Sequence, residues 1–288
     1  MTEWQRLPEI PSERLWPARL QLHWALQPVA AIGKLLLPHR PDFSEQSFLW
    51  SERDQALCQV TVSGGAAFRA GLRLSPPGLL LLTDAEETPR ALPLSGVTLD
   101  DAYRWVSSHA AGLLGRELPG PLERPEGLPD HPFVHGAPFD AADAPAFRAL
   151  GQLFGDAQVA LSTWAGERPE PPPVRCWPHH FDLATLLALE VAANGEVTRS
   201  VGLGLVPGDE SRQEAYFYVT PWPAPKKKTD LPPLPGGGAW NSEGWFGAVL
   251  PLSALSRLNP DEQEQALGEF LRRAAIHCEE IARTPTEG

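Results

Sequence analysis

A chain of 288 residues with 42% hydrophobic and 21% charged side chains can bury a core, and it is too apolar to be disordered throughout. Its net charge of −12 repels phosphate backbones and argues against a nucleic-acid partner, because the one basic run, Lys226-Lys227-Lys228 before Pro232, reads as a solvated loop. No stretch approaches the roughly 18 uninterrupted apolar residues of a bilayer span, and residues 1–11 lack the apolar core of a signal peptide, so the expectation is a soluble, cytoplasmic protein with no membrane partner.

In chain order, residues 19–37 place Leu20, Trp24 and Ile32 among apolar neighbours, but Pro28 and Gly33 interrupt the period, so a kinked helix is expected. From Ala56 the runs ALCQVTV, AFRAGLRL and LLLLT are short and separated by Gly64-Gly65 and Pro76-Pro77-Gly78, the pattern of three meander strands. Thr98 and Asp101 open a periodic run through Trp105 and Leu113 that Gly115 closes, which predicts a helix capped at both ends. Prolines between Pro119 and Pro138 stop regular structure. Asp140 or Asp143 can then cap a helix over 144–165, with Phe147, Leu150, Phe154 and Leu161 on one face.

Beyond a second proline cluster, Asn194-Gly195 stands between two strand-like runs, the pair favoured by a two-residue type I′ hairpin turn. EAYFYVTPW alternates Tyr216 and Tyr218 against Phe217 and Val219, and 247–250 offers a further strand. Asn259, Pro260 and Glu262 combine a cap, a first-turn proline and a capping-box partner, so a helix follows. The fold class is therefore α+β, with antiparallel sheets flanked by helices. Its halves, 1–139 and 140–288, echo one another: AGLRL leading to Pro77-Gly78 resembles VGLGL leading to Pro207-Gly208, which suggests a duplicated helix, meander, helix unit, although short strand-turn sequences also recur by chance.

Cys58, Cys176 and Cys278 are odd in number, far apart and without CxxC spacing, so they read as buried reduced thiols. His179, His180 and Asp182 form the densest group of proton carriers or ligands, where a proline-rich loop enters the hairpin strand. If Phe181 already belongs to the strand, His180 and Asp182 share a face. There they could hold a divalent metal with Glu210, Glu214 or Glu243, or simply hydrogen-bond each other and pin a strand end. In an acid–base enzyme His180 would be the base, Asp182 would orient it and Glu214 would supply a third carboxylate. Trp177, His179, Tyr216, Trp222 and Trp240 are the residues expected to line a ligand site, with loop anchoring as the alternative role of the tryptophans. Glu190 is expected to pair with Arg199 across the hairpin. Gly236-Gly237-Gly238 lacks the Lys-Ser/Thr of a phosphate loop, and no serine sits in a GxSxG setting.

Trp177-Pro178-His179-His180-Phe181-Asp182, Pro207-Gly208-Asp209-Glu210 with Glu214-Ala215-Tyr216, Pro235 to Gly238 through Gly244-Trp245, and Leu22-His23-Trp24 resemble an uncharacterised bacterial family, domain of unknown function 5996. The resemblance covers most of the chain and implies a bacterial cytoplasmic protein; it brings no activity, cofactor or catalytic residue. Three readings stay open: a small-molecule binder at the mouth of the second sheet, an acid–base or metal-assisted enzyme at the same place, and a protein-interaction module.

Overall fold

The computed structural model describes residues 4–59, 62, 67–83, 85–86, 88–128, 130–225 and 231–284; Lys226, Lys227 and Lys228 lie outside them. Among the described residues there are two antiparallel sheets and five α-helices, an α+β fold. The chain divides into two compact units. The first comprises Glu13–Gly151 and Cys176–Phe181, the second Met1–Ser12, Gln152–Arg175 and Asp182–Gly288. In chain order, helix, sheet and helix occur twice.

The first unit carries α1 (Ser12–Leu36), β1 (Leu49–Ser51), β2 (Ala56–Cys58), β3 (Phe68–Arg73), β4 (Gly78–Thr83), β5 (Arg90–Pro93) and α2 (Leu99–Leu114). Helix α1 starts earlier than its period suggests and is assigned as one helix, with Pro17 and Pro28 inside it. Gly33 stays helical because it is a contact: a Cβ there would stand 2.2 Å from the Glu45 carbonyl oxygen. The strands form a plain meander, β1-β2-β3-β4-β5. Leu79, Leu80 and Leu81 of β4 are fully buried, each stabilising the fold by about 1.5–3 kcal/mol over an exposed side chain. The expected capping box closes α2, with Thr98 Oγ1 accepting from Asp101 N, and Gly115 ends it at φ 65°.

The second unit takes the later part of α3 (Ala144–Gly166), then β7 (Asp182–Val191), β8 (Val197–Val206), β9 (Tyr216–Trp222), β10 (Ala239–Asn241), β11 (Gly247–Pro251), α4 (Leu252–Leu255) and α5 (Pro260–Arg283). With β6 (Arg175–Trp177) the second sheet runs β10-β11-β9-β8-β7-β6. The hairpin between β7 and β8 is present, but its turn differs from the expected one. A type I′ turn needs φ > 0 at both central residues, whereas only Gly195 has it, at 86°. Gly195 N donates to Ala192 O and Ala192 N to Glu196 O, so the loop is three residues long with glycine in its left-handed position. The Glu190–Arg199 pair forms across it at 2.9 Å.

Helix α5 begins with the capping box of Asn259 and Glu262 and packs on β8 and β9. Phe217, Val219, Leu203 and Leu205 are buried on that face by the strand alternation. Gly238 is needed for packing: a Cβ there would lie 2.7 Å from the Phe270 ring. Cys58, Cys176 and Cys278 are all free and buried, and burial pushes the thiols of Cys58 and Cys278 up to about 12.

Candidate functional site

The buried polar side chains of helix α1 form a stripe spaced by one turn, Arg19, His23 and Gln27. Within the first unit this stripe grips the turn at 177–181. Arg19 Nη2 donates to His180 O at 2.8 Å. His23 Nε2 meets Pro178 O at 2.8 Å, and Gln27 Nε2 donates to the same carbonyl at 2.9 Å. A carbonyl can only accept, so His23 carries its proton on Nε2 and its Nδ1 accepts from Arg19 Nη1 at 3.0 Å. Burial first, and then the Arg19 charge, hold His23 down to about 3, so it is neutral near neutral pH.

Phe181 closes the turn. It has φ 56°, the left-handed region that costs a bulky residue on the order of 1 kcal/mol. Its ring lies 5.7 Å from the His23 ring and 5.8 Å from the Arg19 guanidinium, and its N–H donates to Trp177 O at 2.7 Å. Because Phe181 belongs to the turn, β7 begins at Asp182. The strand alternation that would have placed His180 and Asp182 on one face therefore does not reach His180. The clamp leaves His179 and His180 exposed at the tip, their rings 4.2 Å apart, with half-buried Trp177 6.4 Å from His179. Desolvation by the surrounding protein, then the neighbouring His180, bring His179 down to about 4, although part of its surface is open to solvent.

Asp182 opens the second unit's sheet. It is buried, and its Oδ2 accepts from Tyr218 Oη at 2.7 Å; burial first, and then the Asp182 charge and hydrogen bond, hold the phenol pKa well above its usual range. Tyr216 donates likewise to Asp209 at 2.6 Å, and its pKa is raised, chiefly by burial. Glu214, expected as a third catalytic carboxylate, instead accepts from Ser253 N at 2.8 Å in the first turn of α4, a bracing role. Trp222 and Trp240 cannot wall one site. Trp222 follows Tyr216 and Tyr218 on one face of the sheet, whereas Trp240 sits opposite Ala248, itself opposite Val219, on the α5 face. There Trp240 stacks on Phe246 at 5.9 Å and its Nε1 donates to Pro232 O.

On the face away from α5, cross-strand partners form a row of Leu186, Gly202 and Thr220, with Gly247 beside it at the start of β11. Leu186 and Trp222 are 49% and 61% exposed, and Trp245 is 37% exposed. Trp245 stands over Gly247, where a Cβ would be 2.4 Å from its ring, and meets Tyr218 edge-on at 6.3 Å. Gly202 leaves a shallow floor, since its nearest neighbours to a Cβ are Thr220 at 3.4 Å and Leu186 at 3.8 Å. Three strand steps of about 4.8 Å make this trough about 14 Å wide. Trp222 borders it one row further along.

Among the described residues no group of three or more His, Cys, Asp or Glu is placed to hold a metal ion, so no chemistry is routed through a metal at His180 and Asp182. Sequence reasoning missed the Arg19, His23 and Gln27 stripe as a unit; polar residues at i, i+4 and i+8 along one helix face were its signal. Leu186, Gly202 and Trp245 were missed as a trough because only register brings them together. Comparison with family models, curated proteins and solved structures finds no match to this chain.

Proposed function

We propose that this protein binds a small, flat, largely apolar molecule on the open face of its second sheet, between Leu186, Trp222 and Trp245. The observation that carries the reading is the exposure of three large apolar side chains around a glycine floor on one face of a sheet whose other face is packed. Tryptophan supplies a broad apolar surface at low entropic cost, and exposed apolar clusters of this kind mark binding surfaces. The reading agrees with a bacterial cytoplasmic member of domain of unknown function 5996, an affiliation proposed on the motifs alone. The dye 1-anilinonaphthalene-8-sulfonate tests it: native protein should enhance its fluorescence saturably, and Trp222→Ala with Leu186→Ser should weaken binding at least tenfold without changing the melting point. Undiminished dye binding by that double variant overturns the proposal.

A second reading rests on His179 and His180, exposed at the tip of the clamped turn with their rings 4.2 Å apart; His179, held down to about 4, is neutral at physiological pH and can act there as a weak base. In it the clamped turn is an acid–base site. Hydrolysis of p-nitrophenyl acetate above the background of free imidazole, falling to that background in His179→Gln, supports it; a rate unchanged by His179→Gln removes it.

A further inference from the structure

Residues 4–9 lie along the second unit as an extended segment fastened by side chains of α3 and α5. Gln5 N donates to Asp156 Oδ1 at 2.8 Å, and Gln152 Nε2 donates to Arg6 O. Leu7 is fully buried and its N–H donates to Gln263 Oε1 at 2.8 Å. The Gln263 amide is itself fixed, because its Nε2 donates to the carbonyls of Leu255 and Leu258. Three of these anchoring contacts are neutral or apolar and indifferent to pH. The fourth is a carboxyl group.

Asp156 is 2% exposed, and its Oδ2 has no hydrogen-bond partner among the described residues. Burial pushes it up to about 6, against the opposing help of the Gln5 and Arg6 amides, and Glu264 on α5 adds repulsion. On the segment itself the Arg6 guanidinium is turned to Glu9 at 2.5 Å. No cation among the described residues forms an ion pair with Asp156.

We propose that residues 4–9 form a proton-latched strap, held down while Asp156 is protonated and loosened when its carboxylate ionises. The physical cause is the one-sided cost of burying an anion: with the strap lifted, water reaches the carboxylate and its charge is tolerated. Ionisation in the docked state is therefore linked to undocking. If the lifted state titrates like an ordinary aspartate, the docking equilibrium weakens about a hundredfold between pH 4 and pH 8.

Amide hydrogen exchange, corrected for the intrinsic pH dependence of exchange, tests this on the full chain. Protection factors at Gln5 and Leu7 should fall about a hundredfold from pH 4 to pH 8. In Asp156→Asn the pH dependence at these two amides should vanish. The exposed Glu264→Gln removes the repulsion without touching the strap, and should move the midpoint to lower pH. Wild-type protection at Gln5 and Leu7 that is flat with pH, or that falls equally in Asp156→Asn, or a midpoint unmoved by Glu264→Gln, overturns the latch.

Discussion

His23 in the first unit and Asp156 in the second are both buried where charge is disfavoured, yet acid acts on them in opposite senses. His23 titrates near 3 in the folded state and near 6.5 unfolded, so as pH falls the unfolded chain takes up the proton first. Its contribution is complete above pH 6.5 and is lost between 6.5 and 3. Asp156 titrates near 6 folded and 3.8 unfolded, so the folded chain takes up the proton first and the second unit gains stability as pH falls from 6 to 3.8. Lowered carboxylates such as Asp101 and Asp143 add to the acid loss of the first unit, while Asp209 works against Asp156 in the second. A buried imidazole and a buried carboxyl are thus not two versions of one liability: each sets the pH side on which its unit is strong.

The largest effect that can break this contrast is in the first unit. Between pH 7 and pH 4, hydrogen exchange in β3 and β4 should report a loss of about 3 kcal/mol from His23 alone. His23→Gln keeps a donor for Pro178 and an acceptor for Arg19 but cannot titrate, and it should remove most of that slope. An undiminished slope in His23→Gln would falsify the assignment. In the second unit, Asp156→Asn should raise stability by up to about 3 kcal/mol at pH 8 and change little at pH 4, as read by urea unfolding.

A smaller effect sharpens the contrast between charge and packing within the second unit. A Cβ at Gly204 would stand 2.7 Å from the Tyr218 ring and 2.8 Å from the Leu183 carbonyl oxygen, so Gly204→Ala should cost about 2 kcal/mol at any pH. Gly202→Ala, one row away on the same face, should cost less than about 1 kcal/mol. Equal costs would show that Tyr218 yields freely. Asp182→Asn should lower stability by about 1 kcal/mol, because the Tyr218 bond loses its charge assistance but keeps an acceptor; a melting curve measures it.

Elements signalled by local chemistry were legible in the sequence. The caps of α2 and α5 stand at Thr98 and Asn259 because side-chain capping is decided within four residues. Helix α3 begins where Asp143 Oδ1 accepts from Ala146 N, one of the two aspartates foreseen. Where the answer depended on distant packing, local signals failed. Pro28 and Gly33 argued for a kinked helix over 19–37; a helix is there with Pro28 inside it, but it begins at Ser12, which the local period did not show, and the close approach of Glu45 fixes glycine at Gly33. Asn194-Gly195 named the hairpin and not its turn type, which Ala192 and Glu196 complete. The candidate site followed the same division: the residues near 177–182 stood out by composition, whereas Phe181's left-handed backbone and the register setting Trp222 and Trp240 on opposite faces are not written in any short window.

The buried thiols supply a clock. A reagent that attacks only thiolates finds neither Cys58 nor Cys278 competent while its surroundings are closed, since burial keeps both protonated far above neutrality. Cys58 belongs to the first unit and Cys278 to the second. Pulse alkylation near neutral pH followed by peptide mass mapping therefore times the opening of each unit separately within one chain, with no label introduced.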